Sequence, residues 1–214
     1  MQNLLTVDDH KLANDLATLV YVKIGNQCWM PKNLNVNRFR NGDKIPEALT
    51  FEDWKSPGPH WCYYNFNPCN GRIYGKLYNR AAVTDPRGLA PEGWHIPGNN
   101  EWKELIDYLG GTNLAGGKMK EDKVSHWASP NLDADNSSHF KALPGGWLCA
   151  HNLFQYMHAY GFFWSKDLFD QGIEGHKFPA YITLSFESDK ADFSYMQFDC
   201  GLSVRCIKDI HELN

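Results

Sequence analysis

The residue types most often used in catalysis are present, but their spacing does not match a catalytic motif. Nine histidines occur, and His151 and His158 lie seven residues apart in a stretch with no helical period. The zinc motif His-Glu-x-x-His is absent. We therefore expect the histidines to be ordinary surface or core residues. The sequence predicts no metal and no cofactor.

Two pairs of aspartates are candidates for acid–base chemistry. Asp167 with Asp170, and Asp189 with Asp192, could supply the acid and nucleophile of a glycosidase, or could bind calcium. Solvation of polar loops explains the same pairs. The Glu-Pro-Asn, Gln-Pro-Asp and Trp-Asn-Asp signatures of sugar-binding calcium sites are also absent. We favour the loop interpretation and predict that the protein is not an enzyme.

The cysteines give no recognisable redox or metal motif. They stand at Cys28, Cys62, Cys69, Cys149, Cys200 and Cys206, and no Cys-x-x-Cys pair occurs. Cys62 and Cys69 could form a disulfide within a loop, and Cys200 and Cys206 flank a predicted strand. Reduced, partly buried thiols are an equal alternative. No neighbouring residue indicates an activated thiolate.

Aromatic residues make up 14% of the chain and fall into two classes. Those that we interpret as core residues are Trp29, Trp94, Trp102 and Trp164. The others are concentrated in residues 140–206, where β-favouring pieces such as 180–186 and 193–198 are bounded by turns. If these side chains are exposed together, they form a binding patch. The residues that we predict to bind a ligand are Trp147, Cys149, His151, Phe154, Tyr156, His158, Tyr160, Asp167, Phe169, Asp170, His176, Phe178, Asp189, Phe193 and Tyr195.

Composition argues against two classes of partner. The chain has 21 Lys and Arg against 25 Asp and Glu, without a basic cluster, so we predict no nucleic-acid binding. No window of 18 apolar residues occurs, so we predict no membrane insertion. The N-terminal stretch MQNLLTVDDHKLANDL has acids where an export signal needs bases. This fits a cytosolic protein, a trimmed chain, or export by a route without such a signal.

Hydrophobic periodicity predicts a helix after residue 98. Its apolar residues are Trp102, Leu105, Ile106 and Leu109, at helical spacing. Asn99 or Asn100 is the predicted N-cap, and Gly110-Gly111 ends the helix. A shorter helix is predicted at Thr112–Met119, and another within residues 1–20.

Strand and turn signals occupy most of the remaining sequence. Residues 19–24 and a strand from Cys28 are predicted to form a hairpin around Gly25-Asn26. Asn70-Gly71 is predicted to be a tight turn, and residues 45–58 a surface segment anchored by Trp54. No repeat or linker divides the chain, so a single domain is expected.

A set of ordered motifs resembles one known family. The motifs are VKIGNQCWMPKNL, NGDKIP, YGKLYNRAA, APEGWHIPGNNEWKELIDYLGG, NLAGGKMK, FKALPGG, GFFWS and GLSVRCIKD. Together they resemble the Fibrobacter succinogenes major paralogous domain family over residues 22–209. The resemblance implies an α+β, C-type-lectin-like fold with two helices, a small antiparallel sheet and long loops. Residues 1–21 would then be an extension and residues 210–214 a tail.

The resemblance also implies a function. Such a chain is expected to be a non-enzymatic adhesin or receptor-binding module with a variable, aromatic-rich C-terminal surface that binds a cell-surface protein or glycan. C-type-lectin-like folds also carry the variable region of retroelement-diversified proteins, so a phage tail or a bacterial cell surface is the expected extracellular setting. The alternative is a structural subunit that uses the same patch to form a homo-oligomer.

The chain departs from the family pattern in two places. Family members carry a cysteine before the proline of the P-x-GWH motif, and that cysteine is expected to pair with the cysteine of SVRC. Here the position is Ala90, which leaves the partner of Cys206 open, with Cys200 and Cys149 as alternatives. The second departure lies between Gly146 and Gly201, where family members are polar and rich in Asn and Gly. This chain has the aromatic and apolar stretch WLCAHNLFQYMHAYGFFWS there.

Overall fold

The computed structural model describes residues 20–149, 153–170, 177–196 and 200–209. These residues form short antiparallel sheets and five α-helices, which confirms the prediction of an α+β chain. The strands are β1 (Val22–Ile24), β2 (Gln27–Trp29), β3 (Trp61–Cys62), β4 (Leu77–Tyr78), β5 (Trp94–His95), β6 (Gly145–Cys149), β7 (Leu153–Met157), β8 (Tyr160–Asp170), β9 (Lys177–Ser185), β10 (Ala191–Tyr195) and β11 (Ile207–Lys208). The helices are α1 (Phe51–Lys55), α2 (Pro68–Tyr74), α3 (Arg80–Val83), α4 (Asn99–Tyr108) and α5 (Thr112–Met119).

The four-stranded sheet joins the two ends of the described chain. Its strand order is β1-β2-β11-β5, so Ile207 pairs with both Trp29 and His95. A three-stranded sheet has the order β10-β9-β8, and two further pairs are β3–β4 and β6–β7. The predicted hairpin around Gly25-Asn26 is confirmed by the pairing of β1 with β2.

Residues 201–207 pass through the centre of the molecule and connect these sheets. Gly201, Leu202 and Ser203 form single β-bridges to β6, β4 and β8, in that order. Every residue from 201 to 207 is buried. The β6–β7 pair, the β3–β4 pair and the three-stranded sheet are therefore held by one short segment near the C-terminus.

Helix α4 matches its prediction except at the N-cap. The cap is Gly98, and its N–H donates to the carboxylate of Glu101 at 2.7 Å. The Asn99 N–H donates to Asp167 at 2.8 Å. The prediction of an asparagine cap was wrong because two carboxylates, one from a distant strand, satisfy the first N–H groups of the helix.

The apolar face of α4 is buried as its spacing predicts. Trp102, Leu105, Ile106 and Leu109 are all at most 5% exposed and pack in one core cluster with Trp29. Burial of each such side chain contributes about 1.5–3 kcal/mol before conformational entropy is subtracted. The four tryptophans predicted to be core residues are each at most 1% exposed.

Helix α5 has the predicted bounds and packs its main chain against neighbouring loops. A Cβ atom at Gly116 would lie 2.0 Å from the carbonyl oxygen of Lys190. A Cβ atom at Gly117 would lie 2.5 Å from the carbonyl oxygen of Asp133. These two glycines are therefore required for close approach of backbone to backbone, and only a residue without Cβ fits.

One prediction from turn chemistry was wrong. Asn70-Gly71 lies inside α2, which begins at Pro68 with Asn67 as its N-cap. Gly71 is needed because a Cβ atom there would lie 2.0 Å from the ring of Tyr63, so the glycine marks a close contact and not a turn. The predicted surface segment at residues 45–58 is confirmed: it contains α1, most of its residues are exposed, and its anchor Trp54 is 5% exposed.

All six cysteines lie in the described part of the chain, and none forms a disulfide. The predicted alternatives Cys62–Cys69 and Cys200–Cys206 are thus not formed, and burial raises the pKa of Cys206 to about 12. Leu148 and Gly201 exchange both main-chain hydrogen bonds. The adjacent residues Cys149 and Cys200 are buried in one core cluster, where continued antiparallel pairing would make them a non-hydrogen-bonded pair.

His95 joins the four-stranded sheet to α4. Its Nε2 lies 2.6 Å from Glu101 and its Nδ1 lies 2.5 Å from Asp209. The hydrogen bond with Glu101, followed by that with Asp209, raises the pKa of His95 above its ordinary value. Burial alone would raise the pKa of Glu101, but the bonds from His95 and the Gly98 N–H lower it.

Gly116→Ala is expected to destabilise the protein although alanine favours helices. The new methyl group overlaps the main chain of the β9–β10 turn, and overpacking of this kind costs about 1–3 kcal/mol or more. Chemical denaturation measures the change. Asn113→Ala, at an exposed position of the same helix, is the control. Equal stability of the two variants would contradict the close packing of α5.

Oxidation is expected to join Cys149 to Cys200 before any other pair. A Cα separation of about 4.5 Å, typical of a non-hydrogen-bonded pair, permits a disulfide. Oxidised glutathione would accept the two electrons, and the two thiols would lose their protons. Peptide mapping by mass spectrometry identifies the bridge, which Cys149→Ser should prevent and Cys62→Ser should not. A first bridge that contains Cys206 would contradict this register.

The stability of the protein is expected to fall as pH rises through the folded-state pKa of His95. The pKa is raised by folding, so the stabilisation is complete below about pH 6.5 and is lost above it. Melting temperature measured against pH tests this, because His95→Gln should lose that slope and the exposed His139→Gln should keep it. Parallel curves for all three proteins would refute a protonated His95.

Candidate functional site

Four aromatic rings from β6, β7 and β8 form a continuous stack, here called the aromatic surface: Trp147, Tyr156, Tyr160 and Phe162. The Phe162 ring lies between Trp147, with centroids 4.6 Å apart and planes at 16°, and Tyr160, at 5.6 Å and 7°. Tyr156 meets the edges of Trp147 and Tyr160 at 5.5 and 5.1 Å. Phe162 is 5% exposed and Tyr156 is 45% exposed. The result is a buried ring that supports an accessible rim.

The backbone that carries this surface is unusual. Tyr156 has φ 66° and His158 has φ 69°, values that non-glycine residues rarely adopt. Gly146, across the strand pair, has φ 61°, and a Cβ atom there would lie 2.4 Å from the carbonyl oxygen of Gln155. Such strained positions concentrate at binding and active sites. The β6–β7 pair therefore presents Trp147 and Tyr156 at some conformational cost.

Polar side chains continue the same face of the sheet beyond the aromatic surface. Phe162 pairs with Thr183 on β9, which in turn pairs with Asp192 on β10. Directly paired residues point to the same face. Thr183 Oγ1 donates to Ser194 Oγ at 3.3 Å, and Asp192 is exposed. We call Thr183, Asp192 and Ser194 the polar strip.

A second aromatic group lies near the far end of β8, β9 and β10 and is called the aromatic tip: Phe169, Phe178, Phe193 and Tyr195. The rings of Phe169 and Tyr195 are stacked with centroids 4.6 Å apart and planes at 5°. Phe178 lies 5.7 Å from Tyr195 at 25°. Tyr195 is 43% exposed and Phe193 is 38% exposed.

The two aromatic groups lie on opposite faces of one sheet. Phe193 of the tip pairs with Ile182, whereas Phe162 pairs with the next residue, Thr183. Successive residues of a strand point to opposite faces. The predicted binding residues thus form two separate groups, and one flat ligand cannot contact both.

Phe154 has a packing environment of its own. Its ring lies 5.7 Å from Phe51, 5.1 Å from Tyr64 and 4.9 Å from Phe66. These rings belong to a cluster around the buried Trp54. Phe154 is therefore placed to attach β7 to the scaffold, and a direct contact with a ligand stays a prediction.

The predicted acidic residues have structural partners. The Asp167 carboxylate accepts a hydrogen bond from the Asn99 N–H in the first turn of α4. The Asp170 carboxylate lies 3.5 Å from the ammonium of Lys177. The main-chain oxygen of Asp189 accepts from the Gly117 N–H at 3.0 Å. Within the described ranges, no group of three or more His, Cys, Asp or Glu residues could hold a metal ion.

The remaining predicted residues are dispersed. Cys149 is buried next to the aromatic surface, and His158 is exposed with Nδ1 2.8 Å from the carbonyl oxygen of His126. His151 and His176 lie outside the described residues.

Sequence reasoning missed two contributors to the aromatic surface. Phe162 was assigned to the scaffold motif GFFWS, although its position two residues from the buried Trp164 indicates that both point to one face. Gln155 accepts from the Trp147 indole N–H at 3.4 Å and orients that ring. Only the pairing of β6 with β7 reveals this second contact.

Comparison with known proteins identifies a family. Residues 22–208 match the family described as the Fibrobacter succinogenes major domain (Fib_succ_major). No curated protein and no solved structure gives a significant match. The family match spans most of the chain and confirms the resemblance carried by the ordered motifs. The chain therefore belongs to the Fibrobacter succinogenes major domain family.

Proposed function

We propose that the chain is a non-enzymatic recognition module that binds glycans of a cell surface through its aromatic surface. The observation that carries this proposal is the stack around Phe162, whose rim residue Tyr156 is 45% exposed. Isolated surface aromatics are common, but a contiguous set held by mutual stacking is typical of a binding site.

The neighbouring polar strip favours a glycan over a protein partner. A sugar ring has one apolar C–H face that packs on an aromatic ring, and its rim carries hydroxyl groups. Thr183, Ser194 and Asp192 supply hydroxyl and carboxylate groups on the same face as Phe162. An aromatic platform bordered by such groups matches both parts of a sugar, whereas a protein partner would be expected to cover a larger apolar core.

We further propose that the scaffold is a branch of the C-type-lectin-like fold. In support, β11 near the C-terminus lies between β2 and β5, so strands from both ends of the described chain share one sheet. The two longest helices, α4 and α5, follow each other directly, and a long irregular segment connects α5 to β6. Within the described residues no helix is long and apolar enough to cross a lipid bilayer.

The absence of enzymatic activity is part of the same proposal. In support, both carboxylates of one candidate pair have other partners: Asp167 accepts from the first turn of α4 and Asp170 lies 3.5 Å from Lys177. Burial raises the pKa of the Cys62 thiol far above its ordinary range, which opposes a reactive thiolate.

A second candidate function is favoured by the aromatic tip. Phe193 and Tyr195 are exposed on β10, which is an edge strand of the three-stranded sheet. Exposed apolar residues on an edge strand favour association with another chain. The chain would then be a subunit of a surface or phage assembly, with the tip buried between copies.

Tyr156→Ala is expected to weaken glycan binding about fivefold or more, because truncation of an aromatic anchor costs about 1–4 kcal/mol. A glycan array identifies the ligand, and titration calorimetry with the best glycan compares the variants. Tyr108→Ala removes a more accessible tyrosine of α4, 65% exposed, and should bind as the wild type does. Phe154→Ala is expected to lower the melting temperature instead.

Three results would count against the proposal. Equal binding by wild type and Tyr156→Ala would place the site elsewhere. Binding to a surface protein that survives removal of all glycans would replace the glycan with a protein ligand. No binding, together with a stable oligomer that Tyr195→Ala dissociates in light scattering, would establish the structural subunit.

A further inference from the structure

A cleft outside the aromatic surface has a pronounced positive charge. It is about 530 Å³ in volume, within the range of small-molecule sites. Four of its lining side chains are basic and one is acidic. The basic residues are Lys32, Arg72, Lys141 and Arg205, and the acidic residue is Glu121.

The single acidic residue does not neutralise the cleft. Glu121 lies 2.6 Å from His126 Nδ1 through one oxygen and 3.3 Å from Lys141 Nζ through the other. Both carboxylate oxygens are therefore engaged on one wall. Lys32 and Arg72, both exposed, contribute positive charge that Glu121 does not offset.

Two buried cations, one lining the cleft and the other adjacent in sequence to the lining residue Gly75, add to the positive potential. Arg205 is 1% exposed, and its guanidinium donates to Asn33 Oδ1 at 2.8 Å. Lys76 is 4% exposed, and its ammonium donates to Asn35 Oδ1 at 2.8 Å. Asn33 and Asn35 both line the cleft. These acceptors are neutral, so neither cation is neutralised by a hydrogen-bonded carboxylate, and the low local dielectric extends their field into the cleft.

The neutral part of the lining is mixed. Asn35 presents an amide, and the Asn33 amide is engaged by Arg205 and Tyr74. Ile73 and Leu143 present aliphatic surface. A ligand that fits must therefore combine an anionic group with a polar body that has one apolar side. A small, sugar-sized carboxylate has this combination.

We propose that this cleft binds a small carboxylate of monosaccharide size, with Lys32 and Arg72 in direct contact with the carboxylate. Arg205 and Lys76 contribute by hydrogen bonds that hold the side chains of Asn33 and Asn35. None of these residues belongs to the aromatic surface, so the inference does not depend on the proposed function.

The test uses glucuronate as the carboxylate probe, with glucose and inorganic sulfate as comparisons. Amide chemical-shift changes are expected around Lys32, Arg72 and His126 with glucuronate and not with glucose. The double variant Lys32→Ala/Arg72→Ala should bind glucuronate about tenfold more weakly for each charged hydrogen bond that is lost. Arg38→Ala/Lys44→Ala makes the same change of charge at exposed positions outside the cleft and should bind as the wild type does.

Four outcomes would overturn the proposal. Equal affinity for glucose and glucuronate would show that the carboxylate charge does not contribute to binding. Sulfate binding without glucuronate binding would indicate a different ligand class. Equal weakening in the two double variants would indicate general charge attraction. The absence of any amide chemical-shift change near Lys32 would show that glucuronate does not bind in this cleft. As a control, unchanged melting temperatures of the variants show that folded proteins are compared.

Discussion

A buried guanidinium is the constraint on which the rest of the structure depends. Arg205 lies over the ring of Phe140 at 4.3 Å and donates to the carbonyl oxygens of Met30 and Phe140. Its remaining donors reach Asn33. A buried cation is tolerated only where its N–H groups find acceptors. The segment after β2 and the segment before β6 must therefore stay where they supply those acceptors, and burial lowers the pKa of Arg205 to about 9.

The residues next to Arg205 extend this constraint to the candidate site. Gly201 exchanges hydrogen bonds with Leu148, the neighbour of Trp147, and the Ser203 carbonyl accepts from the Trp164 N–H at 3.0 Å. Trp147 is therefore one residue, and Phe162 two residues, from backbone that residues 201–207 hold by hydrogen bonds. Rings held in this way lose little conformational entropy when a ligand binds. Less of the free energy of each ring–ligand contact is therefore offset by ordering of the side chain.

The sequence predicted those features in which one local signal dominates. Helix α4 followed from its apolar spacing, and the burial of Trp102 followed from its place on that face. The turn prediction at Gly71 was wrong because a glycine that makes room for an aromatic ring cannot be distinguished in sequence from a glycine in a turn. The division of the site into two faces could not be predicted, since it depends on the register that pairs Phe162 with Thr183 and places Phe193 one step away.

The motifs that identify the family have structural tasks. Gly116 admits a neighbouring backbone, Lys120 donates to three main-chain carbonyls, and His95 joins a sheet to a helix. Trp147 and Tyr156 lie outside those motifs. Membership of the family therefore accounts for the scaffold, including Phe162 of GFFWS, and does not specify the exposed rings of the aromatic surface. Under the proposed function, substitutions at Trp147 and Tyr156 change the ligand that is bound. The fold is kept, because the hydrogen bonds around the buried Arg205 do not involve the side chains of Trp147 or Tyr156.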